Sequence, residues 1–304
     1  MDINKKKQIA AGLSIFSNII LTFLKILAGA LSGSLSIFSE AIHSFSDFFA
    51  SILAFFSVLK SSKPADKDHP YGHGKYEDLA GFIEGVLIIL AALFIFYEAV
   101  KKIIFGAHTE VESSLGIIVM SIAIFMNFIV SSILFRVSKE SNSISLYADG
   151  EHLRTDVYSS VGVLVGLILI KITGYTVLDP IIAILVAVFI YRTGYNISKR
   201  TMMDLLDYSL PNEDIQKIKK TITEFSSDSK LKSIKARKVG PTLDIDIVLQ
   251  FDGETTICEC HKICDEIEKQ IRKIYPNSSI STHSEPICHK RNCQKTCDKG
   301  TTIC

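Results

Sequence analysis

Basic excess is absent from this 304-residue chain: 33 Lys and Arg stand against 32 Asp and Glu. Nothing is left over to neutralise a phosphate backbone, so nucleic-acid binding is excluded as the main function. The signature of disorder, high net charge with few apolar residues, is missing too, because 48% of the residues are hydrophobic. No cysteine precedes Cys258, and the later ones lack the C-x2-C pairs of a zinc ribbon. No H-E-x-x-H occurs, which removes the catalytic base of the usual zinc proteases. What the chain does have is unevenly distributed charge. Residues 1–208 carry 35 charged side chains and the much shorter 209–304 carries 30. The first stretch reads as a membrane domain, 209–287 as a small soluble domain and 288–304 as a Cys-rich tail.

About 20 apolar residues are needed to cross a bilayer. Six segments qualify, at roughly 9–31, 35–59, 78–100, 114–137, 145–171 and 177–197. A cleaved leader is the rival reading of the first, but that run is long, contains Lys25 and leads at once into a second span. Six spans put both termini on one side. Placing them in the cytoplasm leaves twelve Lys and Arg on inner ends and loops against three outside, in keeping with the positive-inside rule. The cysteines then lie in a reducing compartment as thiols. The short fourth-to-fifth connection carries no His-rich insert, which points to a prokaryotic cell membrane.

Ionisable residues in spans mark substrate paths. The second span contains Glu40-x2-His43-x3-Asp47 and the fifth Asp149-x2-His152-x3-Asp156. Spacings of three and four hold each trio on one helix face. Two such faces offer two imidazoles and two carboxylates to a common point, a set suited to tetrahedral Zn²⁺ with its charge cancelled. His43, Asp47, His152 and Asp156 are therefore the expected transport ligands. Simple hydrogen bonding between helices is the plainer alternative, and the repetition at equal spacing argues against it. Glu40 and Asp149 fall toward opposite membrane faces and are expected to be access acids. Arg154 is a candidate counter-charge for a span carboxylate such as Glu84. In the loop after the second span, Asp66-x2-His69-x3-His73 is a possible second metal site.

The run from Asn18 to Lys25, Gly33-Ser34, Ala41 to Asp47, His69-Pro70-Tyr71-Gly72-His73-Gly74-Lys75-Tyr76-Glu77, Ala148 to Asp156 and Leu178-Asp179-Pro180 together resemble the cation diffusion facilitator family of divalent-metal/proton antiporters. The likeness covers about residues 10–287. It implies a homodimer whose transport site is His43, Asp47, His152 and Asp156, in the zinc or cadmium pattern, and it strengthens Asp66, His69 and His73 as loop ligands. It also implies an interlocking Lys75–Asp207 pair near the dimer interface. Glu40 stands where the family usually has Asp.

Beyond residue 209 the pattern predicts a helix from Pro211, strands at Lys232–Val239 and Leu243–Phe251, a helix at Thr255–Tyr275 and a strand at Ser279–His283. This αββαβ order suits a small sheet covered by helices on one face; in the resembling family it is a dimerising, metallochaperone-like domain. His261, His283 and Glu285 coincide with the family's metal positions, whereas Lys232 and Val248 replace histidines found in some members. Cys260 and Cys264 share a helical arc with Ile263, Ile267 and Ile271 and read as core thiols. Cys258 and His261, at the arc's edge, could share a metal. The tail's Cys288, His289, Cys293, Cys297 and Cys304 could scavenge soft metals.

The function expected is efflux of a divalent cation, Zn²⁺ first and Cd²⁺, Co²⁺ or Fe²⁺ next, against protons by alternating access. An Fe²⁺/Mn²⁺ carrier of the same family and a membrane-tethered metal sensor are the alternatives. No enzyme activity is expected, and metal ions, protons, lipid and a second copy of the chain are the expected partners.

Overall fold

In a computed structural model of the chain, two compact units meet in sequence at Leu205 and Leu206. The backbone is described for residues 2–32, 35–105, 114–173, 178–225 and 229–287; within these, side chains are left undescribed at 29–43, 45, 46, 114–117, 120 and 163–179. The first unit is six helices: α1 (Ile3–Ser32), α2 (Leu35–Ser61), α3 (Lys75–Phe105), α4 (Ser114–Ser141), α5 (Ile144–Thr173) and α6 (Leu178–Leu205). Each has at least 27 residues, and at 1.5 Å per residue that exceeds the roughly 30 Å hydrocarbon thickness. Among the described residues, Ile3–Ala28, Lys75–Phe105, Ser121–Ser141 and Pro180–Leu205 are long and apolar enough to cross a membrane.

The unit is arranged inside-out relative to a soluble bundle. Phe16, Phe94 and Leu185 are each more than 60% exposed, while Asn18, Asp47, Ser51, Glu77, Glu84, Asp149 and His152 are buried. An apolar exterior suits lipid, and polar groups turned inward avoid it. The tightest packing is between α3 and α6. A Cβ on Gly85 would lie 2.9 Å from the Ser198 backbone nitrogen, and one on Gly194 would lie 2.9 Å from the Gly85 carbonyl. Only glycine permits that approach, which replaces hydrophobic driving force with close contact. α1 packs on α2 and α4, and α5 packs on α2, α3, α4 and α6.

The second unit runs α7 (Asn212–Phe225), β1 (Ser229–Val239), β2 (Thr242–Phe251), α8 (Ile257–Ile274) and β3 (Ser278–Pro286). The sheet order is β1-β2-β3, the first pair antiparallel and the second parallel. Alternation along β2 turns Ile245, Ile247, Leu249 and Phe251 into a core completed by Ile218, Ile222, Cys264, Ile267 and Ile271. Each fully buried Ile or Leu contributes roughly 1.5–3 kcal/mol. Gly240, at φ 56°, makes the β1–β2 turn. Thr256 caps α8 reciprocally with Glu259. The register slips between Leu231 and Ser233, which leaves Lys232 as the extra residue of a bulge.

Candidate metal centre

The site begins with α2 and α5, which pack against each other through the polar faces their spacing created. Asp47, His152 and Asp156 each offer a ligand atom, and these atoms all lie within 4.8 Å of one another. His152 Nε2 stands 3.1 Å from Asp47 Oδ1. Both residues are buried and Asp156 is half-buried. A dication placed among them would exchange that contact for two coordinate bonds and meet two carboxylates that cancel its charge. α1 steadies the α2 side: Asn18 Nδ2 donates to the Asp47 carbonyl at 3.4 Å, and the Thr22 hydroxyl donates to the Ser44 carbonyl at 3.1 Å. His43 lies on α2 four residues before Asp47, one turn away; its side chain, like that of Glu40, lies outside the described residues.

Asp149 is fully buried on α5, one turn before His152. Arg154 does not serve Glu84. Its guanidinium turns to α4, 5.3 Å from the Phe128 ring centre, 5.0 Å from that of Phe135 and 3.4 Å from the Ser132 hydroxyl. Two aromatic faces hold it there by cation–π attraction.

The loop trio also converges. Asp66, His69 and His73 bring ligand atoms within 4.8 Å of one another. Asp66 Oδ1 accepts from the His69 backbone N–H at 2.8 Å and lies 3.3 Å from His69 Nδ1. His73 Nε2 is 3.3 Å from Asp66 Oδ2, and the two imidazole centres are 4.4 Å apart. The His69 backbone donation, with both imidazoles nearby, holds the Asp66 carboxyl below its usual range. This ligand is a charged carboxylate throughout the neutral range.

The cytoplasmic-side candidates are dispersed among separate partners. His261 Nε2 faces Asp265 at 3.5 Å, and His283 Nε2 faces Glu285 at 4.0 Å. The bulge directs Lys232 Nζ to Glu285 Oε2 at 2.6 Å. That bond holds the Glu285 carboxyl below its usual range. Neither of the two groups of three or more ligands found among the described residues lies in this unit. Cys258 is exposed. Cys264 is buried, with Sγ 3.6 Å from the Ser284 hydroxyl, and burial pushes its thiol up. That favours core packing over the thiolate a metal needs. Lys75 Nζ donates to the Leu205 carbonyl at 3.3 Å, and Asp207 pairs with Arg237 at 3.0 Å. Residues 288–304 lie outside the described residues.

One buried constellation escapes sequence reading. Lys7 of α1, which looks like a flanking charge, is buried against Glu77 of α3. Glu77 also accepts from the Ser61 hydroxyl of α2 at 2.6 Å and from the Ser143 hydroxyl just before α5. Glu77 opening an apolar helix was the available signal.

A bundle with lipid-suited walls and an inner cluster of metal-ligating residue types defines a polytopic membrane protein. Residues 12–206 match the model of the cation efflux transmembrane domain, and 210–287 match that of the cation efflux protein cytoplasmic domain. The chain belongs to the cation efflux, or cation diffusion facilitator, family, which consists of transporters rather than enzymes. It is 35% identical over 265 residues to an uncharacterized transporter of Synechocystis, covering 87% of this chain and 85% of that one. It is 28% identical to the cation-efflux pump FieF of Shewanella oneidensis over 92% of this chain and 94% of the other. Identity is also 28% to the manganese efflux system protein MneS of Bacillus subtilis, over 94% and 98%.

Proposed function

We propose that the protein exports a divalent cation from the cytoplasm in exchange for protons, with Zn²⁺ as the first cargo. The observation that carries this reading is the convergence of Asp47, His152 and Asp156 within 4.8 Å inside the helical bundle. With His43 as fourth ligand, the set is two nitrogens and two carboxylates, which suits Zn²⁺ or Cd²⁺. Loading from the cytoplasm requires the ligands to give up protons, and protons arriving from outside release the metal. Movement between inward- and outward-facing states couples the two flows.

The remaining parts take subordinate roles. Residues 1–208 transport, 209–287 join two copies into a homodimer and 288–304 scavenge soft metal. Both termini lie in the cytoplasm of a cell membrane, as the Lys and Arg asymmetry argues. Asp66, His69 and His73 hold a second ion at the loop. Glu40 and Asp149 guide the cation to and from the ligands, and Lys75 and Asp207 brace the dimer. His261, His283, Glu285 and Cys258 are weaker candidates for regulatory metal, because Lys232 already satisfies Glu285.

A carrier selective for Mn²⁺ or Fe²⁺ is the second reading, favoured by the relative named a manganese efflux system protein. A tethered sensor without transport gives the intramembrane cluster no purpose. The test is flux in vesicles holding the purified protein. Asp156→Ala is expected to abolish metal-driven proton movement, whereas undiminished flux would remove the proposal. Wild-type competition between Zn²⁺ and Mn²⁺ separates the two cargoes.

A further inference from the structure

Polar residues stack in layers along the bundle. The first layer is Lys7, Ser61, Glu77 and Ser143, where α3 and α5 begin. The third is Asn18, Asp47, His152 and Asp156. Between them lie Glu84 and Asp149. Glu84 is seven residues beyond Glu77, about 10 Å deeper along α3, and Asp149 is six beyond Ser143, about 9 Å along α5. The two acids thus share one depth on helices that pack side by side, with Ile88 of α3 and Ala148 of α5 in one core cluster.

Both are 0% exposed. Among the described residues the Glu84 carboxyl has no hydrogen-bond partner, and Asp149 has only the Ser14 hydroxyl of α1 as a nearby donor. That hydroxyl is itself fully buried. Two buried carboxyl groups at one depth, with a single hydroxyl as donor, are very costly as bare anions in a lipid-embedded interior. A dication bound between them would remove that cost, with the Ser14 hydroxyl as a further oxygen ligand.

We propose that Glu84, Asp149 and Ser14 form an oxygen-only station for the divalent cation, one turn short of the Asp47–His152–Asp156 cluster. It rests on the transport reading and adds a second intramembrane site to it. Oxygen ligands hold Zn²⁺ less firmly than a set with imidazole. An ion reaching the station from the loop side therefore moves on to the histidine-containing cluster, down a gradient of affinity.

The test is equilibrium dialysis of the purified full-length protein with Zn²⁺, counting bound ions per protomer at saturation. Glu84→Gln and Asp149→Asn should each lose one ion from the weaker class and retain the tighter class. Asp156→Ala should instead lose an ion from the tighter class. Ser14→Ala, which an α-helix accepts readily, should weaken the Glu84-dependent ion while preserving the saturated count. Wild-type counts and affinities in both acid variants would overturn the station and leave the pair as a proton carrier. If Glu84→Gln loses its ion but Asp156→Ala loses none, the transport-cluster reading fails while the station stands. Coincident elution of each variant with wild type on a sizing column separates a lost ion from a lost fold.

Discussion

The membrane bundle and the cytoplasmic unit both gather histidines and acids, yet they treat the acids differently. In the bundle, Asp47 and Asp156 share one imidazole within 4.8 Å, with Asp47 and His152 buried and Asp156 half-buried. In the cytoplasmic unit the acids beside the histidines have separate local partners: Asp265 faces His261, and Glu285 holds Lys232 at 2.6 Å. The difference follows from the solvent. Water screens an exposed carboxylate, so a lysine on a bulge suffices and the pair contributes little. Inside lipid a bare carboxylate is expensive, so an acid there is neutralised by a proton or by a positive partner. A cluster in the bundle thus suits a cation in the proposed role, whereas the same residue types at the surface are satisfied locally.

Breaking the comparison most severely means removing a buried cation that the fold itself supplies. Lys7→Ala leaves Glu77 buried without its partner and should cost about 3–5 kcal/mol of stability. Denaturant unfolding in detergent micelles would measure it. A loss below about 1 kcal/mol, the scale of an exposed pair, would erase the distinction between the regions. Lys232→His sharpens the comparison from the other side. It frees Glu285 and puts an imidazole in place of the ammonium that holds it, and calorimetry should then detect an added metal site; an unchanged stoichiometry would show that Lys232 is not what disperses the ligands.

The smallest effect lies in the α8 cap. Thr256→Ala should cost about 1 kcal/mol. Donation from the Thr256 backbone N–H, followed by its hydroxyl, lowers the Glu259 pKa below the ordinary 4.5. The folded value is depressed, so this contribution is fully present above pH 4.5 and is lost as pH falls through the folded value. Acid titration of stability should show the loss in wild type and not in Glu259→Gln. Parallel curves would contradict the assignment.

How far the sequence reaches can be judged residue by residue. Equal acid–histidine–acid spacing in two apolar runs was enough to nominate Asp47, His152 and Asp156, because helical period alone fixes which side chains share a face. The arc of Cys264, Ile267 and Ile271 follows from the same period. Pairings that depend on which helices touch were not legible. Lys7 reads as a loop charge until α1 meets α3, and Arg154 could have turned to Glu84 until two α4 phenylalanines supplied a better surface. The Lys232 bulge is equally hidden, since one extra residue in a strand leaves no periodic mark. β3 extends to Pro286, beyond the strand predicted at Ser279–His283, because its parallel register with β2 runs on to Phe251.

Zinc-edge X-ray absorption puts the decisive question to the intramembrane ligands. The sample is the purified protein with Asp66, His69 and His73 replaced by Ala and residues 288–304 deleted, loaded with one Zn²⁺ per protomer. A shell of nitrogen and oxygen at roughly 2.0–2.2 Å with imidazole scattering, lost in Asp156→Ala, is the predicted result. An unchanged shell in Asp156→Ala, or one containing sulfur, would place the metal elsewhere and contradict the account.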